Sequence, residues 1–311
     1  MIESRVAAIV ADAEAAFDGE RWPAHPLDDE VTESETRTLY LGASGMAWAL
    51  RRLGSTLEVP LEPIGAGPSL FVGDAGILLV TRGDDAQLQR LIDENARNQV
   101  SDLIRGAPGT LVAARHTGLD PTQSVQAILE DRSVGILGIA HGFAGAVAAL
   151  RGYVPDDELR PRVESVLREH AVWDGDAVNW PPSVGAEPTR VQWCHGAPGI
   201  VAALGHVMDE DLALAGGELT WRAGPLTKSY GLCHGTAGNA YAFLVLHRRT
   251  GDDRWRDRAR AFAMHAIAKA DAERAAVGQG RYSLFTGDIG VALLLRHLLD
   301  GDDRFPTLGP F

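Results

Sequence analysis

The sequence predicts an all-α fold: a seven-fold α/α toroid, that is, a double ring of seven inner and seven outer helices. Three observations predict it: a repeated Gly-x-x-Gly step, an apolar helix-compatible stretch after each step, and amphipathic stretches between the steps. The seven steps are Gly42 with Gly45, Gly73 with Gly76, Gly106 with Gly109, Gly142 with Gly145, Gly196 with Gly199, Gly235 with Gly238, and Gly287 with Gly290.

Each glycine step predicts the start of an inner helix. Glycine lets the backbone turn sharply and lets neighbouring helices approach closely. The stretches that follow, such as 46–50, 146–150 and 200–204, are apolar on nearly all sides. A helix that is apolar all round must be buried. We therefore expect these helices to line the inside of the ring.

The stretches between the steps predict outer helices. Segments 156–170 and 252–269 carry apolar residues on one face only, and Asp156 and Asp252 stand where helix N-caps belong. A mean length of roughly 44 residues per repeat, with seven repeats in 311 residues, suits a helix pair that stacks on its neighbours. No polar capping repeat is evident at either end, which favours one closed ring over residues 1–311. The alternatives are an open solenoid or a helical repeat whose glycines serve packing alone.

Composition and charge exclude several classes of function. The chain has 311 residues, 45% of them hydrophobic, and a formal net charge of -13, which argues against nucleic acid as a partner. Glu3, Asp12 and Glu14 interrupt any signal peptide, and the most apolar run, 135–150, is too short for a membrane span. Two cysteines make no disulfide framework, so we expect a cytoplasmic protein with reduced thiols.

The two cysteines predict a metal site. They begin matching Cys-His-Gly triplets at Cys194 and Cys233. Two soft ligands in equivalent frames, each beside an imidazole, are typical of zinc (Zn2+), with Cys194, Cys233 and His234 as candidate ligands. Three protein ligands leave the fourth tetrahedral position open, as in catalytic zinc sites. The alternative is that both cysteines are buried helix-start residues without a metal.

Three further residues are candidates because inner-helix starts gather at one end of a toroid. His141 precedes Gly142 as the triplet histidines precede their glycines, which favours acid/base chemistry. Asp102 could orient it, and Arg190 could bind a carboxylate or stabilise an enolate. The alternatives are a buried histidine bonded to a carbonyl, a carboxylate that caps a helix or lies on the surface, and a solvated loop arginine.

Four segments resemble the LanC and LanC-like family of lanthionine cyclases: GIAHGFAG (138–145), WCHGAPGI (193–200), GLCHGTAGNAY (231–241) and SLFTG (283–287). The resemblance implies a seven-fold α/α toroid and zinc held by Cys194, Cys233 and His234. It places His141, Asp102 and Arg190 on motif positions for acid/base and substrate-orienting residues.

The segments around 193–196 and 228–233 are most similar to the LanC-like branch known from eukaryotes. Members of that branch bind glutathione and are similar to enzymes that add it to dehydroamino acids. Lys228 matches a glutathione-contacting lysine of the branch, so it is expected to bind substrate. The alternative for Lys228 is a solvated loop lysine.

Residues and resemblance together predict an enzyme that forms thioethers. We expect zinc-dependent Michael addition of a thiol, either a peptide cysteine or glutathione, to dehydroalanine or dehydrobutyrine. His141 is the expected general acid, oriented by Asp102, and His195 is a second candidate acid. Arg190 or helix N-termini would stabilise the enolate. The expected partners are a dehydrated peptide or protein and glutathione, with neither nucleic acid nor a membrane.

Two other functions remain open at this point. The first is a non-catalytic LanC-like protein that binds zinc and captures glutathione or a peptide without turnover. The second is another α/α toroid enzyme, such as a prenyltransferase-like zinc protein, whose zinc is held by Asp, Cys and His.

Overall fold

The computed structural model describes residues 2–28, 31–98 and 100–309, and these residues are mostly helical. Besides two short 3-10 turns, Pro26–Asp28 and Glu35–Arg37, the described residues form one hairpin of strands β1 (Val172–Asp174) and β2 (Ala177–Asn179). The helices are α1 (Ile2–Ala15), α2 (Ala43–Arg52), α3 (Asp74–Thr81), α4 (Asp85–Ala96), α5 (Ala107–Thr117), α6 (Thr122–Glu130), α7 (Phe143–Leu150), α8 (Asp156–Glu169), α9 (Ala197–Leu204), α10 (Glu210–Ala223), α11 (Thr236–Thr250), α12 (Asp253–Val277) and α13 (Asp288–Asp300).

Seven of these helices form the inner ring. They are α2, α3, α5, α7, α9, α11 and α13, and each begins directly after the first glycine of a predicted step. Each inner helix contacts the next, and α13 contacts α2. That last contact closes the ring, so the toroid is confirmed and the open solenoid is excluded. Within the described ranges, no helix is long and apolar enough to cross a membrane.

The outer layer differs from the prediction in one place. It contains α1, α4, α6, α8, α10 and α12, whereas the described residues between α2 and α3, 53–73, contain no helix. The expected seventh outer helix is therefore wrong. Pro60, Pro63 and Pro68 lie in this stretch, and each proline removes an N–H donor and clashes with the preceding helical turn.

Ion pairs tie the first outer helix to the last one. Helix α1 packs on α13, and Arg5 pairs with Asp271 of α12. Arg274 of α12 donates to Asp12 of α1 at 2.5 Å and 2.7 Å through two nitrogens. These contacts join chain ends that are more than 260 residues apart, which supports the closed ring.

One of the two predicted caps is confirmed. Asp252 caps α12, because its carboxylate accepts a hydrogen bond from the Arg254 amide at 2.9 Å. Asp156 does not cap α8, since Pro155 occupies the cap position. Asp156 is instead the first helical residue, and its carboxylate accepts from the Arg151 guanidinium at 2.9 Å and 3.0 Å.

The second glycine of each step is needed for close packing. In all seven steps, a Cβ on that glycine would lie within 2.4 Å of the carbonyl oxygen six residues earlier in the chain. At Gly238 the Cβ would lie only 1.7 Å from the Leu232 oxygen. Any larger residue would therefore push the helix start away from the turn that precedes it.

We expect Gly238→Ala to lower the free energy of unfolding by about 2 kcal/mol, because the added methyl group overlaps backbone that cannot move freely. The matched control is Gly135→Ala, where a Cβ meets no atom within 4 Å. Urea unfolding followed by circular dichroism measures both variants. Equal midpoints for the two variants would contradict the packing role of the step.

Backbone hydrogen bonds link successive steps around the ring. In five of the seven steps, the residue two positions before the first glycine donates its N–H to the equivalent carbonyl of the next repeat. Cys194 donates to Cys233 at 3.4 Å, Cys233 to Phe285 at 3.0 Å, and Phe285 to Tyr40 at 3.3 Å. Tyr40 in turn donates to Phe71 at 2.9 Å. These bonds place the two cysteines side by side although 39 positions separate them in the sequence.

The C-terminal segment 302–309 fills the middle of the ring. The Phe305 ring stacks on Trp193 with centroids 4.1 Å apart, and it meets the Tyr241 ring edge-on at 5.0 Å. Trp193 and Tyr241 are completely buried. Other residues of the segment line small cavities together with residues of α2, α5, α7, α9 and α13. The bore of the toroid is therefore occupied by side chains.

Candidate functional site

The structure brings the three predicted metal ligands together. One ligand atom each from Cys194, Cys233 and His234 lies within 4.8 Å of the other two, and Cys233 Sγ is 3.7 Å from His234 Nε2. With zinc bonds of about 2.3 Å to sulfur and about 2.0 Å to nitrogen, a tetrahedral S···N edge is about 3.6 Å. The donor set therefore fits zinc after a small contraction. It lacks the aspartate that a prenyltransferase-like site requires.

The two thiols share their protons unequally. A hydrogen bond from Cys233 lowers the pKa of Cys194, whereas burial and then the adjacent Cys194 raise the pKa of Cys233. Cys194 is therefore the more acidic thiol of the pair. Both cysteines are buried and His234 is exposed, so the cluster is accessible from the histidine side.

His141 and Asp102 form a hydrogen-bonded pair beside the thiols. His141 Nδ1 lies 3.2 Å from Asp102 Oδ2, and the side chain of His141 is 39% exposed while that of Asp102 is 11% exposed. The amides of Leu103 and Ile104 both donate to the Ala140 carbonyl, which holds the two segments in register. Because Nδ1 is engaged, Nε2 is the nitrogen that can exchange a proton with a substrate.

Asp102 is fixed by its own turn as well. Its other carboxylate oxygen, Oδ1, accepts a hydrogen bond from the Arg105 amide at 2.6 Å. The carboxylate thus stabilises the turn before α5 and orients His141 at the same time. Asp102 is therefore neither a surface charge nor the cap of α5, whose cap residue is Gly106.

His195 lies between the His141–Asp102 pair and Cys194. Its ring centroid is 5.9 Å from that of His141, and its residue directly follows Cys194. Burial lowers the pKa of His195, and the positive charge of Arg190 acts in the same direction. A smaller fraction of His195 than of a free histidine is therefore protonated at a given pH, which suits a proton acceptor better than a proton donor.

Arg190 lies on the loop before α9, near His195. Its side chain is exposed, and its charge is close enough to affect His195. The Asn179 amide donates to the Arg190 carbonyl at 3.1 Å, while Asn179 Oδ1 accepts from the Ala197 amide at 2.8 Å. Asn179 therefore anchors the loop that carries Arg190 to the start of α9.

Two residues that we did not predict contact the cysteine sulfurs. Gln192 Nε2 donates to Cys194 Sγ at 2.8 Å, and Lys228 Nζ donates to the other end of the same amide, Gln192 Oε1. The Tyr40 hydroxyl lies close to the Cys233 sulfur, and burial followed by the nearby Cys233 charge raises the pKa of Tyr40 well above its usual value. Tyr40 therefore remains a neutral phenol.

Comparison with known proteins decides the family. The family model described as lanthionine synthetase C-like protein matches residues 65–308, which is most of the chain. The chain belongs to the lanthionine synthetase C-like family. The resemblance seen in the sequence is thereby confirmed.

Two relatives and one solved structure extend the comparison. The lanthionine synthetase C-like chain is 39% identical over 137 residues to glutathione S-transferase LANCL1 of Danio rerio, which covers 39% of this chain and 32% of that protein. It is 34% identical over 183 residues to LanC-like protein GCL1 of Arabidopsis thaliana, covering 54% of this chain and 42% of that protein. Its alignments thus span less than half the length of either relative.

The fold is similar to that of a solved nisin cyclase, with a TM-score of 0.56 and 17% sequence identity. The likeness covers 96% of this chain and 94% of the nisin cyclase chain. At this identity the comparison concerns the fold alone, and it supports the toroid of the lanthionine synthetase C-like chain.

The residues missed in this lanthionine synthetase C-like sequence had a positional signal. Tyr40 stands two residues before Gly42, just as each cysteine stands two residues before the first glycine of its step. Gln192 stands four residues before Gly196, as Asp102 does before Gly106. Repeat position, rather than residue type, therefore identifies the side chains that reach this site.

Proposed function

We propose that this protein forms thioethers by zinc-dependent Michael addition of a thiol to dehydroalanine or dehydrobutyrine. The observation that carries the proposal is the cluster of two cysteines and one histidine, with a carboxylate–histidine pair beside it. One relative is named a glutathione S-transferase and the structural neighbour a nisin cyclase. We therefore take the thiol to be glutathione or a peptide cysteine.

Cys194, Cys233 and His234 would hold the zinc ion. A zinc ion there would act as a Lewis acid and lower the pKa of a bound thiol, which is about 8.5 in the free thiol, so that the thiol releases its proton to solvent. The exposed side of His234 leaves room for that thiol to approach. The neighbouring Gln192 donates a hydrogen bond to Cys194 Sγ, and the Tyr40 hydroxyl lies close to Cys233.

The His141–Asp102 pair transfers the proton. The sulfur forms a bond to the β-carbon of the dehydro residue, and the electron pair of the double bond moves to the α-carbon and its carbonyl. His141 Nε2 delivers a proton to the α-carbon, with Asp102 holding Nδ1. The charge of Arg190 stabilises the enolate oxygen. The thiol loses one proton, the α-carbon gains one, and no group leaves.

Removal of the metal tests this proposal. We expect about one zinc per chain, loss of thiol addition after chelation, and recovery when zinc is restored, as for catalytic zinc sites. Addition of glutathione to a dehydroalanine peptide is followed by the gain in mass. Ring closure within a peptide leaves the mass unchanged, so it is followed by the loss of an alkylatable thiol.

Two results would contradict the proposal. Full addition by zinc-free protein would remove the role of the metal. Glutathione binding in calorimetry without any adduct in the mass spectrum would instead indicate a protein that captures thiols without turnover.

A further inference from the structure

The Gln192 amide lies between a cation and a sulfur. Lys228 Nζ hydrogen-bonds Gln192 Oε1, and Gln192 Nε2 donates to Cys194 Sγ at 2.8 Å. A lysine ammonium has only donors, so the oxygen of the amide must face Lys228. The NH2 group must then face Cys194. The lysine therefore fixes which way the amide points.

The backbone of Gln192 is held in place around this contact. Its N–H and carbonyl exchange two hydrogen bonds of 3.1 Å with His195. The Asn239 amide donates to the carbonyl of Val191, the preceding residue, at 3.0 Å. On the other side, Trp193 is fully buried. Gln192 itself is 4% exposed, so its amide has little freedom to seek other partners.

We propose that Gln192 is a positioning residue for Cys194, and that Lys228 orients and polarises the Gln192 amide. The inference rests on the proposed metal site. A hydrogen bond to a metal-binding sulfur fixes its direction and withdraws electron density from it, and such outer contacts commonly tune metal sites. The loop before α11, which carries Lys228, is thereby coupled to the cysteine on the preceding repeat.

This role differs from the substrate contact expected for Lys228. A lysine that only binds substrate would leave the metal's surroundings unchanged when it is replaced. A lysine that orients Gln192 would change the electronic properties of Cys194 in the absence of any substrate. The two roles therefore separate in a measurement made without thiol or peptide.

Cobalt(II) bound to the full chain without substrate is the probe, because sulfur-to-cobalt charge-transfer bands report electron donation by the cysteines. We expect Gln192→Glu and Gln192→Leu to shift these bands to longer wavelength, since neither side chain donates to the sulfur. Lys228→Met should give a smaller shift in the same direction. Zinc affinity in chelator competition should fall about 10-fold in the Gln192 variants.

Gln126→Leu is the matched control, because the exposed Gln126 amide hydrogen-bonds Glu130 on the outer helix α6 and its replacement should leave the bands unchanged. Gln192→Glu is nearly isosteric and keeps a partner for Lys228, so it decides the matter if Gln192→Leu does not fold. Bands and zinc affinity unchanged in Gln192→Glu would overturn the inference while leaving the proposed function intact. Absence of thiolate bands in the unaltered protein would contradict both.

Discussion

Cys194→Ala and Cys233→Ala are each expected to abolish zinc binding and to lower kcat/KM for thiol addition by at least about 1000-fold. Each substitution leaves one sulfur and one imidazole, which is too few ligands to retain zinc against a chelator. The loss should appear both in metal analysis and in mass spectra of a dehydroalanine peptide incubated with glutathione.

Both cysteines are buried, so a folding defect must be distinguished from loss of the metal. His234→Ala serves this purpose, because His234 is exposed and its removal should not disturb the core. We expect the same loss of zinc and activity with an unchanged helical circular dichroism spectrum. A His234→Ala protein that retains tightly bound zinc and full turnover would exclude this ligand set.

His141→Ala is expected to lower kcat by about 10²- to 10⁴-fold while zinc content stays unchanged. The substituted protein still holds the metal, but it lacks the imidazole that protonates the α-carbon. Asp102→Asn should lower kcat less, since the asparagine keeps the contact with Nδ1 but not the charge. Steady-state kinetics with saturating thiol measures both effects.

His195→Ala is the control for this assignment. Burial lowers the pKa of His195, so less of it carries a proton to donate, and we expect its removal to affect kcat less than removal of His141. The opposite order, with nearly normal turnover in His141→Ala and a severe loss in His195→Ala, would transfer the acid role to His195.

The inner ring was predictable because one chemical requirement repeats along the chain. Each helix start needs a glycine where the backbone approaches the carbonyl six residues earlier, and no other residue fits there. The regularity of the repeat predicts an outer helix at 53–73, but Pro60, Pro63 and Pro68 prevent one from forming there. Local breakers prevailed over the pattern.

The site was predictable only in part. Equivalent repeat positions predicted that Cys194 and Cys233 would be neighbours, and the hydrogen bond between their backbones shows why. Tyr40 reaches Cys233 only because the first repeat follows the seventh when the ring closes, a contact between residues almost 200 positions apart. The direction of an exposed side chain such as Arg190 is not encoded in any local pattern.

The stacking of Phe305 on Trp193 determines how a polypeptide substrate could reach the site. These aromatic rings close the central opening of the toroid, so a polypeptide chain cannot pass through it. A polypeptide with several sites to be modified would have to bind and leave on the one face where the cysteine–histidine cluster is exposed. The polypeptide would then have to shift or rebind on that face between one modification and the next, because it could not move continuously through the ring.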